Sequence, residues 1–287
     1  MVGIKIDGKV IAQTVKDRVK KAVIELKSQG IAPCLATVLI GNDSASATYV
    51  KNKHKACEEV GIITKDHKLD STITQIQLNE IIENLNKDGS VHGILVQLPL
   101  PEQLDEFTTT SRISPLKDVD GLTPHNVGLL SMKKAVLVAC TPSGIMEMFD
   151  HHKINLEGKN IVLINRSNLV GKPLYHLLLE KNATVLTCHS KTKNLTELCK
   201  NADIIITAVG DRNKFTLTSE MIKEGAVIID VAISRFQEKL VGDSNYEEII
   251  QKASFATPVP GGVGPMTVAM LLKNTITAAS LSTQIGR

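Results

Sequence analysis

Short apolar runs of strand length alternate with helical periodicity along most of the 287 residues, and few folds accept that pattern. Val10, Thr14, Val15, Val19, Ala22, Val23 and Leu26 recur at steps of three and four, which predicts an amphipathic helix closing at Gln29-Gly30. A strand over 35–40, a helix carrying Tyr49 and Lys53 to Val60-Gly61, a strand over 62–67, a helix over 74–86 and a strand over 91–97 follow. From Asn160 the alternation resumes, with strands expected over 161–164, 183–189, 203–207 and 226–230, and a helix running to Lys181 between the first two. Alternation of this kind builds parallel sheets wrapped by helices, so the fold class expected is α/β.

Length allows two modest domains or one large one. Thr141 followed by Pro142 reads as a helix N-cap and first helical residue, opening an apolar helix over 145–152, and the domain boundary is placed there. With aromatic residues at 3% and no Trp, the core must be aliphatic, and stacking platforms for single-stranded nucleic acid are not expected. A net charge of +3 argues for no polyanion partner but leaves room for a local basic pocket for a small anion. The five cysteines show no paired spacing and read as reduced core residues of a cytoplasmic protein. The first seven residues read as a short strand, not a signal peptide, and no apolar run approaches membrane-spanning length. The eight histidines offer no metal-ligand spacing, so no metal is expected.

Several stretches carry chemistry. Tyr49 and Lys53 are four residues apart on a helix and share a face. A phenol beside an amine forms a useful pair, because the two can hydrogen-bond and the amine can shed its proton when desolvated. The bland alternative is a solvated basic helix with one half-buried tyrosine. Gln97 closes a strong strand and runs into Leu98-Pro99-Leu100-Pro101. Ligands of open α/β sheets lie beyond the carboxyl ends of strands, which makes Gln97 a candidate fixed polar contact. Asp118 and Asp120 stand in a loop ahead of Gly121; calcium loops use such spacing, but their remaining ligands are missing. A carboxylate that reads a ligand's N–H groups fits better, with Asp120 the stronger of the two.

After strand 161–164 the segment from Asn165 to Pro173 has the strand–turn–helix order by which dinucleotide folds present helix amides to a pyrophosphate. The full glycine fingerprint is absent; Asn165, Ser167 and Gly171 stand there instead. The following strand ends without the acid that holds an NAD ribose, while Arg166, Ser190, Lys191 and Lys193 suit a 2′-phosphate, which favours NADP. The two lysines also read as a solvated basic loop. Near the end, residues 258–265 hold three prolines and three glycines and open an apolar helix to about Ala279, a loop more elaborate than a connector needs.

Quoted together, these segments resemble the bifunctional methylenetetrahydrofolate dehydrogenase/methenyltetrahydrofolate cyclohydrolase family. The matching stretches are Tyr49 to Glu58, Gly93 to Pro101, Lys117 to Gly121, Cys140-Thr141-Pro142, Arg166 to Pro173, Cys188-His189-Ser190 and Thr257 to Thr267, in the family's order over nearly the whole chain. The resemblance implies oxidation of 5,10-methylenetetrahydrofolate to the methenyl form with NADP, then hydrolysis to 10-formyltetrahydrofolate, within one-carbon metabolism. It implies Lys53 as catalytic base, Tyr49 stacked on the folate, Gln97 tuning the lysine and Asp120 gripping the pterin. Gly262, Pro265 and Thr267 would line the folate pocket, and Asn165, Arg166, Ser167, Ser190 and Ile233 would hold NADP. It further implies two α/β domains, the second a Rossmann-type parallel sheet, with an interdomain active-site cleft. The expected division is 1–143 with a returning helix 266–287 for folate and catalysis, and 144–265 for NADP. A homodimer through the Rossmann domains is expected, with no nucleic acid or membrane partner.

The sequence departs from the family at Asn165 and Ala232, where glycine is usual, and at Ala139, where proline is common. Asn tolerates left-handed backbone better than most residues, so Asn165 is expected to fit a glycine's place. Ala232 adds a methyl that would crowd the cofactor. Three other readings stand beside the main one: a cyclohydrolase with weakened or lost dehydrogenase activity, a short-chain dehydrogenase using Tyr49 and Lys53, and a non-catalytic folate- or nucleotide-binding protein. In short-chain dehydrogenases the pair follows the dinucleotide turn; here it precedes it.

Overall fold

The chain opens with β1 (Ile4–Lys5) and α1 (Gly8–Ser28), and a computed structural model describes residues 2–285. Two units divide it, with the division falling after Ala12, Cys140 and Thr267.

The unit that begins at Gln13 and resumes at Val268 is built on a parallel sheet in the order β3-β2-β4. Its strands are β2 (Cys34–Ile40), β3 (Ile63–Leu69) and β4 (Gly93–Val96), with α2 (Ser44–Val60) and α3 (Gln75–Lys87) in the connections. Every residue of the central β2 is buried, as expected of a strand covered on both faces. Edge strand β3 instead alternates in burial. Both helices begin where their side chains dictate. Asp43 accepts from the Ser46 amide to cap α2, and Thr74 with Gln77 forms a capping box at α3. Gly61, at φ +83°, ends α2 in the left-handed conformation that glycine alone adopts at no steric cost. Leu78 and Ile82 of α3 close over Ala36, Val38, Ile94 and Val96, each large side chain contributing ~1.5–3 kcal/mol by leaving water. Two short helices follow, α4 (Glu106–Ser111) and α5 (Pro124–Ser131), ahead of α6 (Cys140–His151).

The second unit carries β5 (Asn160–Ile164), α7 (Gly171–Glu180), β6 (Thr184–Cys188), α8 (Leu195–Lys200), β7 (Ile204–Thr207) and β8 (Val227–Asp230). A hairpin of β9 (Ser234–Phe236) and β10 (Lys239–Val241), then α9 (Tyr246–Ile249) and β11 (Phe255–Ala256), lead to α10 (Val263–Ile285). The sheet is parallel throughout, in the order β1-β11-β8-β7-β5-β6. Strand β5 has its successor β6 on one side and β7 on the other, so the chain reverses direction of travel there. That is the switch point at which open α/β sheets bind nucleotides.

The structure departs from the sequence reading in four places. Strand β1, expected with residues 1–143, pairs with β11 (Ile4 opposite Phe255) and completes the six-stranded sheet. The expected limits at 143/144 and 265/266 fall instead at 140/141 and 267/268. Thr141 is no cap: α6 already starts at Cys140, and Pro142 lies in its first turn, where the missing N–H has no intrahelical partner to lose. The β9–β10 hairpin and α4, α5, α8 and α9 are short, and their periodicity is too brief to stand out from loop.

Candidate active site

In the first unit the central pair is Lys53 and Gln97. The Lys53 ammonium donates to Gln97 Oε1 at 3.0 Å, from α2 to the residue just past β4. Gln97 Nε2 donates to the Leu98 carbonyl at 2.7 Å and its backbone amide to Val38 O at 2.9 Å. With both ends of its carboxamide engaged, Gln97 can present only its oxygen to the lysine. Tyr49 lies one turn before Lys53, half-exposed, and has no aromatic partner among the described residues.

Helix α2 is tied to the sheet one residue beyond Lys53. His54 Nε2 lies 2.9 Å from Thr37 Oγ1 and 2.8 Å from Asp66 Oδ1, and Thr37 Oγ1 donates to the same carboxylate oxygen at 2.8 Å. The three come from α2, β2 and β3, so a lysine at the neighbouring position inherits a fixed helix. Sequence reading passed over this triad, because its members are 17 and 29 residues from Thr37 and none belongs to a motif.

The two loop carboxylates divide their tasks. Asp118 is buried and accepts from the Leu122 and Thr123 amides at 3.1 and 2.8 Å and from Asn126 Nδ2 at 2.8 Å. It shapes the loop. Asp120, half-buried, makes no such amide contacts and faces the charge of Lys53 and the thiol of Cys140. Burial raises its carboxyl above the ordinary value, while the Lys53 charge and the Cys140 hydrogen bond pull it down. Burial likewise pushes the Cys140 thiol well up, with the Asp120 charge adding to it. The loop is anchored from both sides. Ile94 N donates to Lys117 O at 2.8 Å, and Asn274 of α10 donates to the carbonyls of Val119 and Val138 at 2.8 and 2.9 Å. Asn274 went unnoticed in the sequence: it lies 155 residues from its partner. Gly121, at φ +66°, leaves no room for a side chain, since a β-carbon there would sit 2.5 Å from the Ala139 nitrogen.

The second unit holds the remaining expected residues. Arg166 is exposed after β5 and has no ion-pair partner among the described residues; Ser190 is exposed after β6. No acid ends β6, where His189 and Thr192 close a turn on each other instead. A basic, hydroxyl-bearing rim at this strand end fits the 2′-phosphate of NADP. Ile233 is partly exposed and lies near the backbone of Gly264, and Ala232 is buried with its amide on Asp230 Oδ1. Two buried carboxylates brace the loops after β7 and β8. Asp243 accepts from Thr207 Oγ1 and the Val209 and Gly210 amides, and Asp230 from the Asp243 and Ser244 amides. Burial raises the Asp230 carboxyl, against the Ser244 hydrogen bonds. The Pro/Gly loop is packed against its own backbone: a β-carbon on Gly262 would sit 2.5 Å from Pro258 O. Thr267 Oγ1 lies 2.9 Å from Thr141 Oγ1, and Pro265 falls in the first turn of α10.

Asn165, expected to occupy a left-handed glycine position, does not: its φ is not positive. The turn after β5 is closed by side-chain hydrogen bonds from Asn165 and Ser167, and the helix amides expected to face a pyrophosphate are engaged by them.

Two family models match the chain: the tetrahydrofolate dehydrogenase/cyclohydrolase catalytic domain over residues 6–120, and its NAD(P)-binding domain over 139–283. The chain is 86% identical, over 100% of both proteins, to the bifunctional protein FolD of Nitrosopumilus maritimus. Among solved structures, the bifunctional FolD enzyme of Campylobacter jejuni superposes with a TM-score of 0.93 at 47% identity, covering 96% of this chain and 98% of that one. The dehydrogenase-cyclohydrolase of Trypanosoma brucei, solved with NADP and an inhibitor, gives 0.93 at 34% identity over 98% and 99%. On these matches and the two-unit α/β architecture, the chain belongs to the tetrahydrofolate dehydrogenase/cyclohydrolase family.

Proposed function

We propose that the chain oxidises 5,10-methylenetetrahydrofolate with NADP and hydrolyses the methenyl product to 10-formyltetrahydrofolate, with Lys53 as general base. The observation that carries this is the Lys53–Gln97 hydrogen bond of 3.0 Å beside the raised Asp120 carboxyl. When bound, oxidised NADP supplies the acceptor for the hydride leaving the methylene carbon. This chain's residues do the rest. Asp120 holds the N–H groups of the pterin, and Tyr49 covers the ring. Lys53, acting as the free amine, takes the proton of the water that attacks the methenyl carbon, while Gln97 fixes the direction of the amine. Arg166 and Ser190 hold the adenosine 2′-phosphate, Ser167 and Ile233 are further cofactor contacts, and Asn165 stands at the turn that faces the diphosphate. Gly262, Pro265 and Thr267 enter as folate contacts on the family pattern alone.

An absorbance assay of methylenetetrahydrofolate with NADP or NAD, run beside an assay of methenyl hydrolysis, tests the reading. Turnover with NADP together with hydrolysis supports it; hydrolysis without turnover on either nucleotide removes the dehydrogenase half.

The homodimer is proposed through the six-stranded sheet. Edge strand β6 reads Thr-Val-Leu-Thr-Cys, with no proline or charge to block pairing, and Leu186 on it and Leu179 on α7 are exposed. Light scattering coupled to size exclusion should give twice the chain mass, and Leu186→Lys should give the monomer mass. Five free, buried thiols suit a reducing cytoplasm, and no helix among the described residues is long and apolar enough to cross a membrane.

A further inference from the structure

The turn between β5 and α7 is where a dinucleotide fold offers unsatisfied helix amides to a diphosphate. Here each of those amides already has a partner. Gly171 N donates to Asn165 Oδ1 at 2.9 Å, Val170 N to Ser167 Oγ at 3.1 Å and Lys172 N to Ser167 O at 3.0 Å. Pro173 has no N–H, and Leu174 N makes the ordinary intrahelical bond to Val170 O.

Asn165 is the centre of this closure. Its Oδ1 accepts three hydrogen bonds, from the Ser167 amide at 2.8 Å, the Ser167 hydroxyl at 2.8 Å and the Gly171 amide. Its Nδ2 donates to Ala208 O at 2.7 Å. Ala208 follows β7, so the carboxamide spans the gap between the carboxyl ends of β5 and β7, which is the switch point of the sheet. Gly171 permits the close approach: a β-carbon on it would lie 2.4 Å from Asn165 O and 2.7 Å from Oδ1. An oxygen that gathers a helix N-terminal amide, a turn amide and a hydroxyl does what a phosphate oxygen does at such a turn.

We infer that the Asn165 carboxamide is an internal stand-in for a diphosphate oxygen, so that NADP must bind without these donors or displace Asn165 from them. The residue thereby sets cofactor affinity downward, acting on the diphosphate and not on the adenosine end. The inference rests on the proposed cofactor residues, and on Arg166 and Ser190 holding the 2′-phosphate. Because Asn165 has no left-handed backbone, both Gly and Ala fit its place, and each removes the carboxamide.

Calorimetric titration of the full-length protein with NADP and, separately, with 2′-AMP, which has the 2′-phosphate but no diphosphate, tests it. N165A and N165G should each bind NADP about tenfold more tightly than the parent, ~1.4 kcal/mol, and bind 2′-AMP within about twofold of it. Far-UV circular dichroism verifies that each variant folds, and the two substitutions check one another, since N165G also loosens the backbone. NADP binding that is unchanged or weaker in N165A overturns the inference, as does equal tightening of 2′-AMP. The underlying assignment fails separately: if R166A leaves 2′-AMP binding intact, Arg166 does not hold the 2′-phosphate, whatever Asn165 does.

Discussion

The two units treat their polar side chains in opposite ways. Around Lys53, the neighbours are locked so that the chemical groups stay open. Gln97, Asp118, Asn274 and the Thr37–His54–Asp66 triad each use their hydrogen bonds to fix backbone or helix, while Asp120 makes no amide contacts. At the β5–α7 turn, Asn165 and Ser167, two of the residues expected to hold the cofactor, are themselves the locks. Acid–base chemistry needs a group with an unmet demand for a proton or a partner, and holding a flexible dinucleotide does not. A turn can therefore be complete by itself and still lie on a binding path.

The contrast can be broken most directly at Lys53. K53M keeps the length and apolar stem and removes the base, so cyclohydrolase turnover should fall by about 10²–10⁴-fold while folate binding persists. Turnover near the parent rate would mean that the open group in this unit is not the lysine.

Asp120 sharpens the contrast through pH. Burial raises its carboxyl above the ordinary 3.8, so the folded protein holds this proton more tightly than the unfolded chain does. That contribution is full below the ordinary value and is lost as pH climbs through the raised one, leaving a cost at neutrality. D120N should lose roughly 10–100-fold in KM for the folate, as expected for a hydrogen bond to a charged group worth about 1.5–3 kcal/mol. The same variant should melt higher than the parent at neutral pH, with the gap closing as pH falls below the raised value and gone below the ordinary 3.8. A variant that melts lower at pH 7 would place Asp120 among the locks.

Asn274 tests the locks themselves. N274A leaves two carbonyls, Val119 and Val138, without their donor and should cost about 1–3 kcal/mol in urea unfolding. If the loop carrying Asp120 depends on it, KM for the folate rises as well. The smallest expected effect concerns the thiols. All five are buried, and burial pushes Cys57 and Cys199 up to about 12, so the native protein should react negligibly with a disulfide reagent until denatured.

Periodicity made the helices and most strands legible, because burial on one face leaves its mark at every third or fourth residue or along a short apolar run. Lys53, Gln97 and Asp120 were legible as types placed at strand ends and on a helix face. Asp120 is favoured over Asp118 as the ligand-facing carboxylate in the sequence, but only the folded loop shows which carboxylate faces its own amides. The role of Asn165 was misread. Its backbone tolerance suggested a substitute glycine, whereas its carboxamide, visible only with Ala208 and Gly171 beside it, is what the turn uses. The contacts of Asn274 and the pairing of β1 were illegible for one reason: their partners lie 155 and about 250 residues away, and no local pattern reports a contact at that distance.

The pairing of β1 with β11 bears on how the chain is made. Ile4 leaves the ribosome about 250 residues ahead of Phe255, which lies opposite it in the sheet. At roughly 5–20 residues per second, β1 waits on the order of 10–50 s for its partner strand. During that interval the residues from Gln13 to Cys140 can settle, while the edge that β1 will cover does not yet exist. Strand β1 is thus made before every other strand of its sheet and can pair only after all of them, so the nucleotide-binding sheet is finished only once β11 has emerged.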